Sequence, residues 1–152
     1  MVLISLRKYG NMYSTKGQKP EKNGGNNTMN DKIREQIERA KTQTIGVEVE
    51  MNHITRSKAA KIAAEFFGTD SCGNTADRNG YSTWSAWDAQ GREWKFQKDV
   101  SIAGNDNEKC ELVTPILKYE DIETLQELIR QLRKAGAVSN ASVGAGVHYG
   151  KF

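Results

Sequence analysis

Glu48, Glu50, Asp99, Glu111 and His148 are the residues of this chain whose types and spacing could do chemistry, and that chemistry is divalent-metal binding. Each falls at a polar position of a short strand-like segment. Alternate residues of a strand share a face, so in Thr44-Ile45-Gly46-Val47-Glu48-Val49-Glu50-Met51 the two glutamates point one way. Ile45, Val47, Val49 and Met51 point the other. Carboxylates about 7 Å apart on one face repel unless something positive lies between them. At an effective dielectric of ~20, like charges at ~4 Å cost on the order of 4 kcal/mol. Asp99 and Glu111 would add to that repulsion, and a bound cation would reverse it. Glu111 stands in a stretch otherwise apolar until Thr114, where a lone acid is unusual unless paired. His148 lies between Gly146 and Gly150, residues that admit close approach of a ligand or of backbone. The bland alternatives are a solvated sheet face for Glu48 and Glu50, a turn cap for Asp99 and a surface position for His148.

These residues need a scaffold, and the pattern of the chain supplies one. A short helix is expected over about 31–41, with Ile33, Ile37 and Ala40 on one stripe. The Glu48/Glu50 strand follows. A second helix, about 57–67, buries Ala59, Ala63 and Phe66 with Ile62 beside them, and stops at Gly68. Residues 69–80 read as loop. Two strands, 81–87 and 92–101, form a hairpin around Asp88-Ala89-Gln90-Gly91, with Gly91 suited to a positive φ. Alternation puts Trp94, Phe96, Val100 and Ile102 on one face and Lys95, Gln97, Asp99 and Ser101 on the other. Trp84, Trp87 and Trp94 are expected in the core and in cross-strand pairs. A strand at 110–114 closes at Pro115. A long amphipathic helix, about 120–135, carries Ile122, Leu125, Leu128, Ile129 and Leu132 and stops at Gly136. A glycine-rich strand over 144–152 ends the chain. The order predicts an α+β domain, an antiparallel sheet with helices packed on one face and the acids on the other.

Composition sets outer bounds. The chain has 152 residues, 37% hydrophobic and 27% charged, which suits one globular domain with a polar tail. A net charge of +3, with Lys and Arg spread among acids, gives no nucleic-acid footprint. Cys72 and Cys110 have no zinc-ligand spacing and are expected as reduced thiols in a cytoplasmic protein. No apolar run approaches the ~20 residues of a membrane span. Residues 11–30, rich in Gly, Asn, Lys and Ser, read as a flexible extension comprising 1–30, ahead of a folded domain over 31–152. Met29 directly after that tract is a candidate start of the functional product.

Four segments occur in order: Thr44-Ile45-Gly46-Val47-Glu48-Val49-Glu50, Lys98-Asp99-Val100-Ser101-Ile102, Glu111-Leu112-Val113-Thr114-Pro115 and Gly144-Ala145-Gly146-Val147-His148. Their order and spacing resemble the amidoligase family often encoded by phages and mobile elements, within the glutamine-synthetase-like carboxylate–amine ligases. In that group an E-x-E strand, a D-x-S turn, an E-L-V-[ST]-P strand and a G-x-H-x-H segment line an antiparallel sheet that holds ATP and Mg²⁺. The resemblance implies Glu48, Glu50, Glu111 and His148 as metal ligands. Asp99 would be catalytic, as a further ligand or an acid behind the ligands, and Ser101 and Arg56 would contact the nucleotide. Arg56 at the head of the second helix has solvation as its plainer reading, and His53 reads as a loop residue. Gly150 stands where many members carry a second histidine. Members also continue beyond this last strand, which implies a domain truncated at its C-terminus.

The function so implied is ATP- and Mg²⁺-dependent joining of a carboxylate to an amine through an acyl phosphate. Mn²⁺ is an alternative ion, because imidazole suits it better than Mg²⁺. Partners would be small-molecule or peptide carboxylates and amines, with neither nucleic acid nor membrane, in a protein that could form a homo-oligomer. The alternative is a catalytically inactive N-terminal fragment that binds metal or a partner. A two-metal nuclease would use the same acids with Lys95 or Lys98, but needs a basic groove that the sequence does not show.

Overall fold

The computed structural model describes residues 30–75 and 82–139, and the backbone of 27–29 and 145–150. The helix α1 (Asn27–Lys41) belongs to one compact unit, and the described residues from Thr42 onward form another. In α1 the predicted stripe residues Ile33 and Ile37 are exposed, and Arg39 pairs with Glu35 one turn away.

The second unit is an α+β fold in which every strand pair is antiparallel. In chain order come β1 (Thr44–Met51), α2 (Arg56–Phe67), β2 (Cys72–Asn74), β3 (Trp84–Trp87), β4 (Glu93–Gln97), β5 (Cys110–Val113), α3 (Ile122–Lys134) and β6 (Ala145–Gly150). The sheet order is β2-β3-β4-β5-β1-β6, so the first strand lies inside the sheet, between β5 and the edge strand β6. β1 pairs with β5 in the register Glu50↔Glu111 and with β6 in the register Gly46↔His148. No described helix is long and apolar enough to cross a membrane.

Alternation explains which face is buried. Val47, Met51, Ala86, Trp94, Phe96, Cys110 and Leu112 all lie on one side of the sheet and are almost fully buried. Against them pack Ala59, Ala60, Ala63 and Ala64 of α2 and Leu125, Leu128 and Leu132 of α3. The small alanine surface lets α2 sit close, with Ile62 and Phe66 packed at its margin. Thr55 caps α2 by accepting from the Lys58 N–H, and Gly68 ends it at φ 68°, a left-handed conformation that a side chain would strain. Gly91 takes φ 74° in the β3–β4 turn, as its place there predicts. Burial pushes the Cys110 thiol up to about 12, which leaves it inert.

Several sequence expectations need correction. The stretch 69–80 is not all loop, because Cys72–Asn74 pairs with β3. Such a three-residue strand has too little pattern to announce itself, and it exists only by its partner. The strand expected over 92–101 ends at Gln97, so Val100 does not share a face with Trp94 and Phe96 and is 76% exposed. Ile102 is buried all the same, anchoring the loop that replaces the strand end. Trp94 joins the core and Trp84 packs, partly buried, against it, whereas Trp87 does neither. Cross-strand pairing puts Trp87 opposite Glu93, on the face away from the helices. Tyr81 lies outside the described residues.

Candidate metal centre

The acid face is built from rows that cross neighbouring strands. Gln97 of β4, Glu111 of β5 and Glu50 of β1 are successive cross-strand partners, so their side chains stand side by side. The next row runs Ser85, Lys95, Val113, Glu48 and, by backbone register, Gly146. Asp99 comes from the loop after β4 rather than from a strand. Its carboxylate nevertheless arrives beside the others: Glu50, Asp99 and Glu111 each offer an oxygen within 4.8 Å of the rest.

Local chemistry brings Asp99 there. Its Oδ1 accepts from the Ser101 N–H at 2.8 Å, which closes a tight turn directly after the strand. Asp99 therefore caps its own turn and also lies in the acid cluster. The loop behind it is pinned at several points. Ile102 is buried, and Asn52 Nδ2 donates to the Ala103 carbonyl at 3.4 Å. Lys98 and Lys109 both pair with Asp106, whose carboxyl the two ammonium groups hold down to about 2. Arg56 donates to the carbonyls of Ser82, Asp106 and Lys109 at 3.1, 3.1 and 2.8 Å. Its guanidinium thus ties the start of α2 to this loop.

Electrostatics mark Glu111 as the centre of the group. Burial pushes its carboxyl above the usual range, against the Gln97 amide, which donates to Oε2 at 2.8 Å and pulls it down. The charges of Glu48, Asp99 and Glu50 add to the rise. Oxygen donors at this spacing, on a half-buried surface and mutually repelling, are the donor set a hard divalent cation takes. The residues fit such an ion.

The expected site residues are thus placed unequally. Glu50, Asp99 and Glu111 converge. Glu48 lies one row away, near enough for its charge to act on Glu111. The backbone of His148 pairs with Gly46, two positions before Glu48 on β1, while its side chain lies outside the described residues. Ser101 is exposed and serves Asp99 through its N–H. His53 sits at φ 62° with Nδ1 2.9 Å from Asn52 Oδ1, a loop arrangement as expected. Alternation alone puts Gln97 on the polar face, and its register with Glu111 is what reveals its part in the site.

Comparison with known families gives one result. Residues 41–151 match the family model described as "Putative amidoligase enzyme". No curated protein and no solved structure matches the chain.

Proposed function

The chain belongs to the amidoligase family, and from that premise we propose that it is an ATP- and Mg²⁺-dependent ligase joining a carboxylate to an amine. The observation that carries this reading is the convergence of Glu50, Asp99 and Glu111 within 4.8 Å on the face of the sheet opposite α2 and α3. In the proposed reaction the carboxylate oxygen attacks the terminal phosphorus of ATP, releasing ADP and leaving an acyl phosphate. The amine nitrogen then attacks the acyl carbon, loses a proton and expels phosphate. Neither step needs a covalent bond to the protein, so the protein contributes position and charge.

Glu50, Asp99 and Glu111 would hold Mg²⁺ or Mn²⁺, with Glu48 and His148 as further ligands, and the ion would neutralise charge on the phosphate oxygens. Asp99 has its carboxylate oriented in advance by the Ser101 N–H, and Glu111 by the Gln97 amide. That preparation removes some of the ordering cost that binding would otherwise meet. Ser101 and Arg56 remain our candidates toward the nucleotide, Arg56 mainly by holding the Asp99 loop. Small-molecule or peptide carboxylates and amines are the substrates we propose.

A thermal melt with and without Mg²⁺ plus a non-hydrolysable ATP analogue tests the reading. Ligand at ~100 times its dissociation constant should add about 2.7 kcal/mol, a rise of roughly 10 °C for a domain of this size. The rise should vanish in Glu50→Gln/Glu111→Gln. A cooperative wild-type melt that ignores both ligands overturns the proposal. Phosphate release on adding carboxylate and amine pools would separate turnover from binding alone.

A further inference from the structure

Beyond the acids, the same face carries two residues that the metal site does not use. We infer that Lys95 and Trp87 complete a nucleotide site, with the triphosphate crossing Lys95 and the base lying on Trp87. This inference rests on the ligase reading and adds where and in which direction the nucleotide lies.

The register supplies the geometry. Glu111 on β5 is the partner of Gln97, and Lys95 lies two residues back from Gln97 on β4. Trp87 on β3 is the partner of Glu93, two residues back again from Lys95. Glu111, Lys95 and Trp87 therefore form a diagonal across three neighbouring strands, all on the face opposite the helices. Each diagonal step is ~7–8 Å, so the line runs roughly 15 Å from the acids. An extended nucleoside triphosphate reaches from terminal phosphate to base over a span of that order.

The chemistry along the line matches that ligand in sequence. Hard oxygen donors for a cation stand at one end. The ammonium of Lys95 comes next, 47% exposed and suited to phosphate as a point charge. It is loosely tethered, its Nζ 3.8 Å from Glu93 Oε2. Glu93 is itself steadied by the Ser85 hydroxyl at 2.7 Å, and Ser85 by Thr75 at 2.7 Å. A pair this long exchanges readily for a phosphate oxygen. Trp87 ends the line. It is the one tryptophan of the three on the face away from α2 and α3, and it stays partly exposed there. Aromatic rings on such surfaces stack bases without base specificity.

Binding of a fluorescent or non-hydrolysable ATP analogue with Mg²⁺, followed by tryptophan emission and by titration calorimetry, tests this without turnover. Emission should change on binding in the wild type and stay flat in Trp87→Phe, because Trp84 and Trp94 lie on the other face of the sheet. Trp87→Ala should weaken both ATP analogue and adenosine about tenfold, with Trp87→Phe restoring much of that affinity. Lys95→Gln should weaken the triphosphate about tenfold and leave adenosine unchanged. Mn²⁺ binding in the absence of nucleotide should be the same in all these variants. Wild-type affinity for the analogue in both Trp87→Ala and Lys95→Gln overturns the inference while the ligase reading stands. A wild-type protein that binds Mn²⁺ but no nucleotide overturns both.

Discussion

Two groups of carboxylates in this fold are handled in opposite ways. Asp88 and Asp121 share one guanidinium: Arg92 Nε donates to Asp88 Oδ2 at 2.8 Å, and its terminal nitrogens donate to both oxygens of Asp121 at 2.9 Å. Trp94 Nε1 and the N–H groups of Gln90 and Arg92 also donate to Asp88. Burial works to raise the Asp88 carboxyl, but these donors together outweigh it and hold it below the usual range. The Arg92 hydrogen bonds do the same for Asp121. Glu50, Asp99 and Glu111 instead face one another, and Glu111 is pushed up. The first group is a joint: it locks the β3–β4 turn to the start of α3. The second stores repulsion at the surface where the proposed chemistry needs a cation.

The largest effect that would break this contrast is expected from Arg92→Met. It leaves a buried aspartate and a second, partly buried one without their cation. Removing one partner of a buried pair costs about 3–5 kcal/mol. Urea unfolding should show the midpoint fall with little change in slope. A loss below about 1 kcal/mol would rank this group with ordinary surface pairs.

Glu111→Gln should act the other way. The amide is the same shape and can still accept from Gln97, while the like-charge contacts disappear. The metal-free protein should gain about 0.5–1 kcal/mol and lose its response to Mg²⁺. Destabilisation in the absence of metal would mean the carboxylate is held by the fold for its own sake.

A smaller effect separates the groups by pH in metal-free protein. Glu111 titrates higher when folded than when unfolded. Its repulsion is therefore relieved, and stability gained, as pH falls from its raised folded value toward the ordinary glutamate value near ~4.3. Asp88 and Asp121 titrate lower when folded. Their contribution is full above the ordinary aspartate value near ~3.9 and is lost as pH falls through their depressed folded values. Unfolding free energy should rise by a few tenths of a kcal/mol on mild acidification and then drop in strong acid. Glu111→Gln should erase the rise and keep the drop. A steady fall beginning near neutrality in the wild type would contradict the assignment.

Much of the scaffold could be read from local pattern. β1 alternates so regularly that the faces of Glu48, Glu50, Val47 and Met51 follow from the period alone. The ends of α2 and the β3–β4 turn follow from Gly68 and Gly91, whose positive φ few other residues accept. The four ordered motifs pointed to the family that residues 41–151 match. The period could not say where β4 stops, because alternation continues through Asp99 and Ser101 although the pairing does not.

The sequence by itself determined which residues are polar on which strand, because a strand's faces depend on neighbours two positions away. Only the tertiary structure decided that Asp99 meets Glu50 and Glu111, that Arg92 answers Asp88 and Asp121, and that Trp87 stays out of the core. Those outcomes depend on register and loop closure between segments far apart in the chain. Such pairing energies belong to no single segment, so no local pattern can carry them.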